Sequence, residues 1–512
     1  MNQKRVILQG ALILTIVGFV SRIIGFFYRI FLSHAIGAEG VGIYQLIFPV
    51  YSMAFSLTAS GIQTAISRNV SGKMAVGDKK GARDVFLAGL LLTLGGTLIT
   101  SLFLYREAFW IASSLLKESR CGDLIRFLAL ALPFAGIHSC VGGYYLGLKK
   151  TGVPAVAQLV EQMARVSVSY LVYLIFLEQG LRPTPVLAVI GLVFEEIASA
   201  LYCMTAAAFH FGKQRAFPRT SHASLPFGSL LELSLPLTAN RVLINLLQSV
   251  EAVCIPMRLQ LSGLAVSSSL SVYGVLTGMA LPLVLFPSAI TSAISMMLLP
   301  AVSEAQASGR QERISRTLEG TVQYSLSLGI LCTGIFLCFG EPMGQLLFHS
   351  ALAGRFILIM AWICPFLYLC TTLASILNGM GKTITTFWQN ALSLLIRILF
   401  VWFAVPCFGI TGYLWGLLVS QLFSAAAALF SLSRCVSFHF NSGAWIVRPA
   451  LALGISAGIM YFFRFLLLHF EWKIFPTAEM FLSICVLCAV YIGIMFFSEI
   501  YILLQKKGIL KA

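Results

Sequence analysis

The sequence predicts an all-α polytopic membrane protein with about 14 transmembrane helices. Three observations carry that expectation. Hydrophobic residues fill 58% of the 512 positions and charged residues only 11%, too little polar surface to clothe a water-soluble globule. Apolar windows of about 20 residues, enough to cross roughly 30 Å of hydrocarbon as a helix, recur from one end to the other. These windows are continuous rather than alternating, so they read as helices and not as the strands of a membrane barrel.

In chain order, spans are expected to begin near residues 6, 41, 83, 124, 154, 185, 228, 269, 314, 355, 383, 409, 444 and 476. The first follows only "MNQKR" and lacks a small-residue cleavage site, so it reads as a retained helix rather than a signal peptide. Lys and Arg gather in alternate connections, at Lys73, Lys79, Lys80, Lys149, Lys150, Lys213, Arg310, Arg313 and Lys382. That asymmetry predicts cytoplasmic N- and C-termini. The formal charge of +16 then follows from topology and attraction to anionic membrane lipids, and no nucleic-acid partner is expected.

The twelve cysteines are scattered through apolar spans. Cys485 and Cys488, in "SICVLCAV", have no His or acidic neighbour, so packing is expected and no metal. The sequence carries no P-loop, dinucleotide fingerprint, zinc-helix motif or nucleophile elbow, so neither a cofactor nor an enzyme is expected.

The chain also repeats itself. "SGIQTAIS" at 60–67 resembles "SAITSAIS" at 288–295, and "VSGKMAVGDKK" at 70–80 matches "VSEAQASGRQE" at 302–312. A constant offset of 232 superposes Pro133 on Pro365, Gly147 on Gly379, Lys150 on Lys382 and Arg165 on Arg397. The predicted organisation is an N-lobe of six helices over 1–220, a parallel C-lobe of six over 221–440, and two further helices over 441–512. The basic stretch "GKQRAFPRTSHASLP" at 212–226 is the expected linker. Parallel repeats about a central cavity are a common transporter architecture.

Polar stripes point to that cavity. Thr15, Gly18, Arg22, Gly25, Arg29 and Ser33 recur at spacings of three or four and share one face of the first helix. Ser234, Thr238, Arg241, Asn245 and Gln248 repeat the device on the seventh. The fifth and eleventh helices carry Gln158, Glu161, Arg165 and Ser169, matched by Asn390, Ser393, Arg397 and Val401. An arginine at mid-bilayer costs a few kcal/mol, so such residues usually face a bundle interior or a water-filled cavity.

The expected substrate-binding residues are therefore Arg22, Arg29, Arg241, Arg397, Arg165, Asn245 and Gln248. Glu161 and Glu251 are candidates for ion pairing or coupling, and Glu195, Glu196, Glu232 and Glu499 read as ion-pair partners. Two alternatives stand beside these readings. Glu161 precedes Arg165 by four residues, the favourable order for a helix ion pair. Arg29, close to a helix end, can snorkel to headgroups. Several guanidinium forks with few spare acids suit a diphosphate headgroup, whose polyprenyl tail can stay in lipid.

At these residues the chain resembles a known family. "GFFYRIFLSHAIGAEGVGIYQLIFPVYS" (25–52), "LPLTANRVLINLLQSVEAVCIPMRLQ" (235–260) and "SVYGVLTGMALPLVLFPSAITSAISMMLLPAVSEAQA" (271–307) are similar to the stage V sporulation protein B branch of polysaccharide biosynthesis transporters. That branch lies within the multidrug/oligosaccharidyl-lipid/polysaccharide exporter superfamily. The resemblance implies a bacterial inner-membrane flippase for lipid-linked sugar precursors, with membrane lipids and cell-wall synthesis proteins as partners. Ser21, Arg22, Gly25 and Phe26 match the "SRxxGF" start of related lipid II flippases, whereas arginines those relatives place in the second and eighth helices are absent from "LIFPVYSMAF" and "YGVLTGMALPL". The rival readings are a multidrug cation antiporter of the same superfamily, which wants membrane-embedded carboxylates, and a non-transporting scaffold for cell-wall synthesis.

Overall fold

The computed structural model describes residues 3–212, 227–438, 440–469 and 475–506. The expected linker, Gly212 apart, lies outside them. No strand occurs among the described residues. Among the described residues thirteen helices are long and apolar enough to cross a membrane, or fourteen when the pair Cys121–Ala129 and Leu132–Gly147, bent by 43°, counts as one span. The chain is a multi-pass membrane protein.

Two units divide the chain: Met1–Gly278 with Arg397–Tyr413, and Met279–Ile396 with Leu414–Ala512. These boundaries differ from the lobes expected from the repeat: residues 221–278 and Arg397–Tyr413 join the first unit, and the residues from 441 onward join the second.

The first unit begins with α1 (Gln3–Phe55), interrupted at Gly37, where φ is 69° and ψ 177°. Only glycine adopts that backbone without strain. Tyr28 bonds Ser169, which packs against Gly191, and Tyr51 bonds Glu196, a little over one turn beyond Gly191, although a straight helix would hold the two tyrosines about 34 Å apart. The chain therefore folds back at Gly37, and α1 supplies two passes. A π-helical turn, Ser56–Ser60, leads into α2 (Gly61–Ala75). Asp78 caps α3 (Lys79–Arg106) by accepting a hydrogen bond from the Gly81 amide at 2.7 Å.

The helix α3 shows the inverted logic of a lipid-facing helix. Its Thr93, Thr97 and Ala88 are fully buried, whereas Leu91, Leu98, Ile99 and Leu102 are more than half exposed. Two of its inner hydroxyls are satisfied by backbone carbonyls: Thr97 donates to that of Thr93 at 2.7 Å, and Ser101 to that of Ala129 on a later helix at 2.6 Å. The short α4 (Ala108–Trp110), then α5 (Cys121–Ala129), α6 (Leu132–Gly147), α7 (Gly152–Glu178) and α8 (Val186–Gly212) complete the expected N-lobe. Next come α9 (Phe227–Leu261) and α10 (Val266–Gly274), also in this unit.

The second unit holds α11 (Leu281–Leu285), α12 (Ser288–Ala307), α13 (Gln311–Phe348), α14 (Ala351–Met360), α15 (Cys364–Gly379) and the start of α16 (Thr383–Phe403). The last turns of α16 and the short α17 (Val405–Phe408) return to the first unit. Most of α18 (Ile410–Ser433), with α19 (Arg448–His469) and α20 (Pro476–Lys506), lies in the second.

The internal repeat is visible in packing. Pro133 and Pro365 each stand in the first turn of a helix, α6 and α15, where proline costs no hydrogen bond. In the first unit a Cβ on Gly147 would fall 2.7 Å from the Ser67 carbonyl and 2.8 Å from Val70. In the second, a Cβ on Gly379 would fall 2.9 Å from the Leu299 carbonyl and 3.0 Å from Val302. Each contact is the other displaced by the same offset of 232, so the duplicated glycines serve one purpose, close helix approach.

Candidate functional site

All seven residues expected to bind substrate lie in the first unit. On α1, Arg22 and Arg29 are both exposed. Their face of the helix turns toward α7: a Cβ on Gly25, between them, would meet the Gln162 amide oxygen at 3.6 Å. Arg165 of α7 sits over the ring of Tyr28, the chain neighbour of Arg29.

On α9, Arg241 is exposed and reaches across to α2. Its guanidinium donates to the Ser60 carbonyl at 2.9 Å and to the Thr64 hydroxyl at 3.1 Å. Ser60 ends the π-helical turn, where the register of backbone bonding shifts, and its carbonyl also accepts from Thr64 at 3.2 Å. Asn245, one turn on, donates to the Ser56 hydroxyl and to the Ser52 carbonyl, the latter at 3.4 Å. Gln248, the next residue of the stripe, is exposed. The closeness of the two helices depends on Gly61, where a Cβ would lie 1.9 Å from the Thr238 hydroxyl.

Arg165 and Arg397, the arginines shared by both repeats, are engaged differently. Arg165 Nε lies 2.9 Å from Glu195 Oε2 on α8, its Nη2 donates to Gln162 at 2.5 Å, and its guanidinium sits over the Tyr28 ring, 5.2 Å from the centroid. The favourable i, i+4 order with Glu161 is not the pairing adopted. Glu161 instead accepts from Ser199 at 2.8 Å and lies 3.8 Å from His138 Nε2. Rigid packing of α7 on α8, where a Cβ on Gly191 would come 2.0 Å from the Ser169 hydroxyl, places Glu195 nearer than the residue one turn away.

Arg397 pairs with Glu251 of α9 at 3.1 Å, and the Tyr413 hydroxyl donates to the other oxygen of that carboxylate at 3.0 Å. The repeat preserves the arginine and not its partner, since Glu195 displaced by the offset is Ala427.

His138, Tyr28, Tyr51 and Tyr413 were not among the expected site residues. A single signal was available for one of them: "GIHSC" places a lone histidine inside an apolar span. Glu232 is exposed on α9, and the side chain of Glu499 lies outside those described.

The helices share their fold with solved transporters of the multidrug/oligosaccharidyl-lipid/polysaccharide superfamily. A structure titled as lipid II flippase MurJ in an inward closed conformation superposes with a TM-score of 0.70 at 14% identity, covering 96% of this chain and 100% of that one. An inward-facing multidrug resistance transporter of the MATE family gives 0.64, also at 14%, over 81% and 94%.

The pattern described as "Polysaccharide biosynthesis protein" matches residues 7–306, and the chain belongs to that family. A second pattern, MatE, matches residues 233–403. Among curated proteins, stage V sporulation protein B of Bacillus subtilis (strain 168) is 28% identical over 417 residues, 80% of each chain. Lipid II flippase MurJ of the same organism is 26% identical over 403 residues, 73% of each.

Proposed function

We propose that this protein is a flippase that moves an anionic undecaprenyl-diphosphate-linked sugar across the bacterial cytoplasmic membrane, by alternating access between lobes 1–220 and 221–440, with both termini inside. The observation that carries the reading is the accessibility of Arg22, Arg29 and Arg241 within apolar helices. Lipid would repel three such guanidinium groups, whereas a diphosphate supplies bidentate acceptors. Asn245 and Gln248 continue the polar face on α9. Arg165 and Arg397, each paired with a buried glutamate, serve as positioning residues. Membership of a polysaccharide biosynthesis family and similarity to a protein named as a lipid II flippase support the same substrate class.

The test is reconstitution into proteoliposomes with fluorescent undecaprenyl-diphosphate sugars. Arg22→Ala and Arg241→Ala should each reduce leaflet transfer about tenfold or more, the equivalent of one charged hydrogen bond. Lysine at either position should restore it in part, because it lacks the fork. Full transfer by the double alanine variant refutes the assignment. The MatE match over 233–403 favours a second reading, multidrug cation antiport, which the same vesicles would reveal by moving a cationic dye and no lipid.

A further inference from the structure

The offset of 232 that carries Lys150 onto Lys382 also carries Cys203 onto Cys435, so each repeat holds a lysine and a cysteine at the same spacing. In the first unit Cys203 is sealed, 1% exposed, on a helix that runs on to Gly212. In the second, α18 stops at Ser433, and Cys435 stands half-buried in the turn beyond it, its amide donating to the Leu432 carbonyl at 2.9 Å. Lys382 is exposed in the connection between α15 and α16. There the two residues meet: Lys382 Nζ donates to Cys435 Sγ at 2.9 Å, and Sγ donates to the Ser431 carbonyl at 3.0 Å.

Helix packing sets this contact. Gln389 of α16 donates to the Ser431 hydroxyl at 2.9 Å and to the Ala427 carbonyl at 3.0 Å, and Ser393 donates to the Ser420 carbonyl at 3.1 Å, so side chains hold α16 against α18. Arg434, the chain neighbour of Cys435, lies over the Phe430 ring, 4.4 Å from its centroid. A cysteine sulfur that peroxide oxidises to sulfenic acid turns from nucleophile to electrophile, and it then condenses with a thiol or a nitrogen held nearby. Reacting atoms about 3 Å apart are in near-attack geometry. The Lys382 amine stands at that distance from the sulfur.

We propose that Cys435 and Lys382 form a peroxide-sensitive covalent bridge, a sulfur–nitrogen bond that staples the start of α16 to the end of α18. The Cys435 thiol gives its proton to water, and the thiolate attacks one oxygen of hydrogen peroxide. An S–O bond forms, the O–O bond breaks, and the departing hydroxide takes a proton from the Lys382 ammonium to become water. The neutral amine then attacks the sulfenic sulfur: the N–S bond forms, the S–O bond breaks, and the hydroxyl leaves as a second water with a proton from the amine. The thiol loses two electrons, and one peroxide is reduced to two waters. The bridge reverses when an external thiolate attacks the sulfur and the amine departs with a proton, after which a second thiol reduces the mixed disulfide. Cys203, sealed within α8, takes no part.

Purified full-length protein in lipid nanodiscs, treated with hydrogen peroxide and digested, should yield the Lys382 and Cys435 peptides joined. The joined species should be lighter than the sum of the two by a pair of hydrogens and should come apart in dithiothreitol. Lys382→Arg keeps the charge and loses the amine, so the joined peptide should vanish and dimedone capture of sulfenic acid at Cys435 should rise about tenfold or more. Cys435→Ser should abolish both signals, whereas Cys203→Ser should change neither. Amide exchange at Cys435 and Val436 should slow in bridged wild type and not in peroxide-treated Lys382→Arg. Equal dimedone capture in wild type and Lys382→Arg, with no joined peptide, overturns the bridge. So does a Cys435 that stays a free thiol in peroxide that oxidises the exposed Cys407. A bridge that forms and leaves amide exchange unchanged overturns the staple.

Discussion

Replacing Glu251 by alanine would strip Arg397 of its counter-ion and Tyr413 of its acceptor in one step. Glu251 is 8% exposed at its side chain and Arg397 20%, so water cannot substitute for the lost carboxylate. Breaking a buried pair from one side costs about 3–5 kcal/mol, and the orphaned tyrosine hydroxyl adds about 1 kcal/mol. Replacing both members by methionine removes the buried charges together and should cost no more than about 1 kcal/mol. The cycle of Glu251→Met, Arg397→Met and the double variant should therefore show a coupling of at least about 2 kcal/mol. Trp402, whose ring lies 3.4 Å from the Arg258 guanidinium in the same unit, gives a local fluorescence signal for unfolding in mixed micelles. A single alanine variant that loses less than about 1 kcal/mol, or a double variant that loses the sum of the two singles, would refute the argument.

Three shorter predictions follow from other parts of the chain. Gly274→Ala sets a Cβ 2.1 Å from the Ala38 carbonyl and 2.5 Å from the Gly42 amide, backbone atoms that no rotamer change can move; disulfide formation between cysteines at Glu39 and Ser267, which interact across the same pair of helices, should fall about tenfold. The Gly81 amide and then Lys73 hold the Asp78 carboxyl below its usual range, so its capping of α3 is fully present above the ordinary carboxylate pKa and is lost as pH falls through the lowered one; amide exchange at Gly81 should accelerate in Asp78→Ala and stay near wild type in Asp78→Asn. Accessibility tags at Gly77, at Lys213 and at the C-terminus should report the cytoplasm, and tags near Lys117 and His349 the outside, with one inverted pair enough to break the proposed orientation.

Helix positions were legible because lipid imposes a simple rule, a long apolar run, on every span. The expected starts near 41, 154, 383 and 476 fall within four residues of the breaks or starts at Gly37, Gly152, Thr383 and Pro476. The repeat was legible for the same reason that it survives, since Gly147 and Gly379 must stay small. The partners of the buried charges were not. Sequence distance favours Glu161 for Arg165, whereas the choice of Glu195 depends on how closely α7 and α8 pack at Gly191, a tertiary fact. His138 gave a weak signal because a lone histidine in an apolar run usually just packs. The π-helical turns at Ser56–Ser60 and Val275–Ala280 carry no local signature.

The segment Arg397–Tyr413 gives the first unit a delayed completion during synthesis. Glu251 leaves the ribosome 162 residues before Tyr413, which at 5–20 residues per second is an interval of roughly 10 to 30 s. Throughout it, α9 must reside in the insertion machinery or the bilayer with a carboxyl group whose permanent neighbours do not yet exist. Biogenesis of this protein therefore calls for a temporary companion to α9, a chaperone or a neutralised glutamate, until the eleventh span arrives. Chains truncated after α15 should remain bound to the insertion machinery, whereas chains extended past Tyr413 should be released.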